Sequence, residues 1–385
     1  MKRAAFLLVV AACVDHKAPI EGTQSLAVTV TSPADPGSMD NRLADTARTV
    51  TYNLQALDQD GNPDASYTRD VQVYVQYLGT LTPYLGQSPL ATVHVANGVA
   101  VNQSITLPPV FGPTSIWFDD GKDMDATYAT GASPTLWYRD PYIQDIQKPL
   151  DETALDALSA SPLQNKNLDV RQSRHGADGR LVVSSVFSQG YTVADMQCGP
   201  GGAPPCTAGD YDQIEVFSFS APSDQHGRKI VEGQVITGFA GGVSEFNGLT
   251  EVGFPQSFTP DGDPDVNPAR EPTPVKIDAS WFSTNKINFE RNEAGPIEID
   301  NPIVCPLDDD YDMYSQWKLA PSGDMADCSG NNVINLITVG VIQTDPATLV
   351  GMTLPKVVGI LRPVNIGSFN VWIIYPRGDA DLTLQ

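Results

Sequence analysis

From Leu26 onward, apolar and polar side chains alternate in short runs, and each run ends in a cluster of glycine, proline, asparagine or aspartate. Leu26-Ala27-Val28-Thr29-Val30 and Val50-Thr51-Tyr52-Asn53-Leu54 set the pattern. A period of two places every other side chain on one face, the signature of a half-buried strand. Residues 71–77, 91–95, 99–107 and 114–118 repeat it, punctuated by Asp60-Gly61-Asn62-Pro63 and Asn97-Gly98. Short strands with such turn chemistry predict a β-sandwich over residues 25–140.

Residues 141–180 are polar and read as a connector, with one or two helical turns in Asp151-Glu152-Thr153-Ala154-Leu155-Asp156-Ala157-Leu158. The strand signal returns at Leu181-Val182-Val183-Ser184-Ser185-Val186-Phe187. It continues through Ile214-Glu215-Val216-Phe217 to Asn370-Val371-Trp372-Ile373-Ile374-Tyr375. The chain therefore predicts an all-β fold, and its 385 residues leave room for two or three domains with cores of their own.

Three resemblances refine this outline. The run Ala56-Leu57-Asp58-Gln59-Asp60-Gly61-Asn62-Pro63, with the alternating stretch 98–108, resembles bacterial immunoglobulin-like surface domains. Further on, Gly190-Tyr191-Thr192-Val193-Ala194-Asp195, Ile214-Glu215-Val216-Phe217 and the hairpin Val243-Ser244-Glu245-Phe246-Asn247-Gly248-Leu249-Thr250-Glu251 resemble the OB-fold domains attached to secreted bacterial nucleases. The exit Pro376-Arg377 with Ala380-Asp381-Leu382 belongs to the same likeness, which covers residues 181–255 and 333–382. It implies an immunoglobulin-like sandwich followed by an OB-like barrel over 181–385, with an insertion at about 256–332. At the N-terminus, Lys2 and Arg3 precede a short apolar run and Ala11-Ala12-Cys13, which resembles the lipobox of bacterial lipoproteins. That resemblance implies removal of residues 1–12, lipidation of Cys13 and a tether over 13–24. The acyl chains would hold the protein on the membrane. Val14, where an aspartate would signal inner-membrane retention, implies the outer membrane; the expected partners are an envelope protein or polysaccharide.

The net charge of −23 opposes nucleic acid and anionic lipid faces at long range. Arg228-Lys229 is the one adjacent basic pair in the barrel strands, so nucleic-acid binding is not expected even though Tyr191, Phe217, Phe219 and Phe246 are aromatic. With Cys13 assigned to lipid, Cys198, Cys206, Cys305 and Cys328 remain. Three connectivities are open to them, of which pairing between sequence neighbours is the simplest.

Asp261, Asp263, Asp265 and Asn267 place oxygens at every second position, the spacing of a Ca²⁺ loop. Val266 and Pro272 occupy positions where an EF-hand needs its glycine and its glutamate, which makes a rigid acidic linker the alternative. Asp58, Asp60, Asn62 and Asp64 share the spacing but fit a β-turn, and the run 308–312 reads as a solvated acidic loop. His16, His94, His175 and His226 show no zinc spacing. Gly242-Val243-Ser244-Glu245-Phe246 misses the nucleophile elbow at its last position. Ser283-Thr284-Asn285-Lys286 and Ser315-Gln316-Trp317-Lys318 match S-x-x-K without its companion elements. Glu245 and Glu251 invite a paired-carboxylate reading, yet they sit in the hairpin that carries the OB likeness and are expected to be structural. The sequence thus predicts a non-enzymatic binding or structural module of the cell envelope, with no cofactor beyond the Ca²⁺ candidate. Nucleic-acid or polyanion binding through the OB-like domain and an envelope-polymer hydrolase without a recognisable motif are the alternatives.

Overall fold

The structure, a computed structural model, describes residues 22–44, 46–79, 88–121, 129–153, 160–282, 286–330, 332–366 and 369–384. It is all-β: the three α-helices among the described residues have five or six residues each, and strands make the framework. Two compact units part between Tyr138 and Arg139, with Leu78 and Gly79 grouped with the second.

The first unit holds β1 (Ser25–Ser32), β2 (Thr49–Leu57), β3 (Arg69–Tyr77), β4 (Ala91–Val95), β5 (Val99–Thr106), β6 (Pro113–Asp119), β7 (Thr130–Ala132) and β8 (Leu136–Trp137). Their order is β4-β3-β6-β7-β1-β2-β5, with β8 beside β6. The period of two becomes burial directly: Val50, Tyr52, Leu54 and Ala56 of β2 point inward and alternate with more exposed neighbours. They meet Val71 and Val73 of β3 and Ile116 and Phe118 of β6 in one shared core, where the Tyr52 and Phe118 rings lie 5.0 Å apart. The leaves β4-β3-β6 and β1-β2-β5 thus enclose that core as a sandwich does. Asn97 and Gly98 join β4 to β5 with φ of 51° and 79°, the type I′ geometry that suits a two-residue hairpin.

The second unit contains two sheets. The first comprises β9 (Asn167–Val170), β10 (Gly179–Phe187), β11 (Gly190–Gly199), β12 (Ala203–Phe217), β13 (Val235–Ile236), β14 (Gly238–Phe246) and β15 (Leu249–Phe258). Its order is β13-β10-β11-β12-β15-β14-β9, with β12 and β15 parallel. The second comprises β16 (Val275–Lys276), β17 (Pro296–Asp300), β18 (Ile303–Val304), β19 (Gln316–Ala320), β20 (Ile334–Ile337), β21 (Lys356–Ile366), β22 (Phe369–Tyr375) and β23 (Leu382–Thr383). Here the order is β16-β17-β21-β22-β20-β19-β18, with β23 beside β21.

The strands in which the sequence shows the OB likeness are therefore divided between two sheets. The stretch 256–332, expected as an insertion, supplies β16 to β19 of the second. The reason is apolar content: Ile297, Ile299, Trp317 and Leu319 are buried with Leu361 and Ile374 in one cluster, and β17 pairs with β21 over five residues. The stretch expected as a connector is likewise built in. Its helix α1 (Ile143–Gln147) buries Ile143 and Ile146 completely, and β9 pairs with β14. Of the helical turn expected at 151–158, residues 154–158 lie outside the described residues. Two further short helices, α2 (Ile287–Arg291) and α3 (Asp309–Tyr314), connect the strands of the second sheet. Both disulfides join sequence neighbours, Cys198 to Cys206 and Cys305 to Cys328.

Candidate functional site

The inner face of the first sheet in the second unit carries two adjoining rows. In the polar row, Ser185, Thr192, Glu215, Glu251 and Ser244 stand opposite one another across β10, β11, β12, β15 and β14. Partners across a ladder share a face, so these side chains converge. A bulge after Val183 inserts Ser184, whose hydroxyl meets that of Thr192 at 2.7 Å. Arg362 of β21 reaches in from the other sheet and pairs with Glu215. Burial pushes the Glu215 carboxyl up to about 7, against the pull of the Arg362 charge. Arg362 also lies over the rings of Phe187, at 4.6 Å, and Tyr375, at 5.1 Å.

In the neighbouring row, Phe187, Gly190, Phe217 and Gly253 stand opposite one another. The Phe187 ring occupies the room that Gly190 leaves. A Cβ on Gly190 would come within 2.4 Å of the Val216 carbonyl and 2.9 Å of Phe187 Cζ. The row continues outward as a ring chain: Phe217 meets Phe219 at 5.2 Å and Phe219 meets Phe254 at 5.3 Å. Phe219 is 68% exposed and Phe254 81%, so two large apolar rings face water side by side.

Between the sheets opens a cavity of about 420 Å³ lined by Ser185, Phe187, Thr192, Arg362, Tyr375 and Arg377, among others. Arg377 is held by Asp381 through its backbone N–H, at 2.8 Å, and through Nε and Nη2, each at 3.0 Å. It also lies 3.6 Å from Glu271. This arginine–aspartate clamp is what the Pro-Arg and Ala-Asp-Leu exit encodes. Both arginines of the cavity are matched by carboxylates. The site therefore offers rings, hydroxyls and fixed charge pairs, with no surplus of positive charge.

Other residues expected from the sequence fall as follows. Cys13 and His16 lie outside the described residues, as do Ser283, Thr284 and Asn285. Three residues of the expected Ca²⁺ loop turn to separate partners, and the fourth, Asp263, is exposed. Asp265 pairs with Arg270 at 2.8 Å, Asn267 accepts from the Ala269 N–H at 3.0 Å, and Asp261 extends into solvent 3.4 Å from His226. Asp58 accepts the N–H groups of Asp60 and Asn62, as a turn requires. Lys318 pairs with Asp308 and Asp310, which hold its ammonium in the charged form rather than poised as a base. Arg228 is engaged by Asp224 at 2.7 Å. Tyr191 is buried and bonds Ser257 at 2.6 Å, whereas Phe246 is exposed at a hairpin turn.

Glu245 accepts from the Ser161 N–H at 2.7 Å and the Thr250 hydroxyl at 2.8 Å, and Glu251 accepts from Ser244 at 3.1 Å. Two glutamates the sequence reading passed over share this core. Glu293 accepts from the Thr250 N–H at 2.9 Å, and Glu290 is pushed up to about 8 by burial and by the charge of Glu245. Burial, with Glu290 nearby, holds Glu293 well above the usual carboxylate range. Phe254 was also passed over, because a phenylalanine between Gly253 and Pro255 carries no periodic signal. His175 lies beside two buried aspartates, Asp195 and Asp212.

No family model matches the chain, and no curated protein matches it. Among solved structures, the crystal structure of dimeric latent PorU from Porphyromonas gingivalis is similar at 11% identity and a TM-score of 0.21. The likeness covers 91% of this chain and 34% of that one, so the chain spans about a third of the PorU length.

Proposed function

We propose that the protein is a lipid-anchored cell-envelope module that binds a neutral polysaccharide without chemically altering it. The observation that carries this reading is the exposed ring chain Phe217–Phe219–Phe254, which adjoins the row bearing Phe187 at the arginine-lined cavity. Aromatic faces stack on the C–H faces of sugar rings, while hydroxyls and charge pairs hydrogen-bond the sugar hydroxyls. The carboxylate partners of Arg362 and Arg377, together with the net charge of −23, favour an uncharged ligand over a polyanion. Anchoring rests on the lipobox likeness at Cys13.

Two experiments test the reading. The purified protein is run through gels cast with neutral envelope polysaccharides, beside a Phe219→Ala/Phe254→Ala variant. Retardation of the parent, weakened at least tenfold in the variant at unchanged circular dichroism, is expected. A parent that migrates freely through every gel overturns the binding claim, and a salt-steep titration with single-stranded nucleic acid would replace it. For the anchor, Cys13→Ser is expected to move the protein from the membrane to the soluble fraction. Proteinase treatment of intact cells then reports which face of the outer membrane bears the two units.

A further inference from the structure

We propose that His175, Asp195 and Asp212 form a binding site for a divalent transition-metal ion of the zinc type. Each offers one donor atom, and the three atoms lie within 4.8 Å of one another. Asp195 and Asp212 are fully buried, and the His175 side chain is 12% exposed. His175 Nε2 and Asp195 Oδ1 are buried and make no hydrogen bond among the described residues, and His175 Nε2 has only the longer contact of 3.5 Å with Asp212 Oδ2. Orphaned buried polar atoms are rare because each forfeits its hydration for nothing in return. Here one cluster holds two of them, and one is a carboxylate oxygen.

The backbone explains how residues so far apart in sequence come together. Ala194 of β11 pairs with Gln213 of β12, but Met196 pairs with Ala208, so Asp195 alone stands opposite residues 209–212. Tyr211 takes a φ of 62° within this wide bulge, and the bulge carries Asp212 to Asp195. Further partners orient the two carboxylates, and on Asp212 they engage both oxygens. Asp195 Oδ2 accepts from the Arg174 N–H at 2.9 Å. Arg174 grips Asp212 at 2.6 and 2.8 Å, and the Gly209 N–H adds a bond of 2.8 Å. Such outer partners orient metal-binding groups rather than bind the ion themselves.

Charge and geometry agree with this assignment. Two carboxylates lie against the single guanidinium of Arg174, while nearby Asp210 is paired with Arg291 at 3.4 Å. Zinc bonds of about 2.0–2.1 Å place tetrahedral ligands about 3.4 Å apart. His175 Nε2 and Asp212 Oδ2 already stand at 3.5 Å. The ring nitrogen selects against Ca²⁺ and Mg²⁺, which take oxygen ligands.

Protein stripped with a chelator is titrated with ZnCl₂ by calorimetry at pH 7.5, and Co²⁺ is added separately to read its visible spectrum. The expected result is one ion per chain, a raised melting temperature, and a Co²⁺ band whose intensity reports low coordination number. His175→Gln, at a partly accessible position, is expected to fold as the parent does and to bind at least tenfold more weakly. Absence of Zn²⁺ heat in the parent overturns the proposal. Unchanged affinity in His175→Gln overturns it too, by moving the ion away from this cluster.

Discussion

At the scale of single residues, the second unit is unusual for the charge it buries. Glu215 and Arg362 form a pair in which the acid is almost wholly enclosed. Removing one member of such a pair leaves an uncompensated charge, at a cost of about 3–5 kcal/mol. Arg362→Met is therefore expected to lower the denaturation midpoint strongly, and adding Glu215→Leu to recover much of the loss. Chemical denaturation of the two variants checks both statements. The glutamates also set a pH dependence. Folding raises the carboxyls of Glu215 and Glu290 to about 7 and about 8, from an unfolded value near 4.5. The native state then binds more protons than the unfolded one, so stability falls as pH rises. The contribution is complete below about 4.5 and is lost between there and 8. A melting temperature that declines from pH 5 to pH 8, with a shallower decline in Glu290→Gln, is the expected outcome. A curve that rises over that interval would contradict it.

At the scale of elements, the hairpins were the most legible part of the sequence. Asn97-Gly98 and Asn247-Gly248 are two-residue turns that both need positive φ, and both appear with it. At Gly98 an added Cβ would also sit 2.2 Å from the Asp64 carbonyl. Gly98→Ala is thus expected to cost the first unit about 1–3 kcal/mol, read as a shift of its urea midpoint. The pairing of strands was less legible. A period of two tells which side chain points inward but not which sheet the strand joins. β17 and β21 therefore gave no sign that they pair across the whole stretch between them. The buried carboxylates and the His175 cluster were hidden for a related reason. Positions 175, 195 and 212 have no common spacing, and a bulge at 209–212 brings them together. By contrast, the local cystines were readable from proximity alone. Loop-closure entropy assigns about 2.6 kcal/mol to Cys198–Cys206 and about 3.4 kcal/mol to Cys305–Cys328. Reduction is expected to lower stability by amounts in that order, which Cys→Ser pairs measured one at a time would test.

At the scale of the whole molecule, the composition was informative about class and silent about ligand. Alternation gave the all-β architecture. The rings that face water at Phe219 and Phe254 became visible only once neighbouring strands were laid side by side. The two units have separate cores, and both cystines belong to the second. A calorimetric scan should accordingly show one transition that a thiol reductant moves and one that it leaves in place. The same asymmetry bears on how the protein is made. The described part of the first unit contains no cysteine and can reach its final form in a cytosolic production host. The second, made in the same host, would remain two cross-links short of completion and open to proteolysis. A soluble product from such a host is therefore no proof of a native one; resistance of residues 139–384 to a protease is the better criterion.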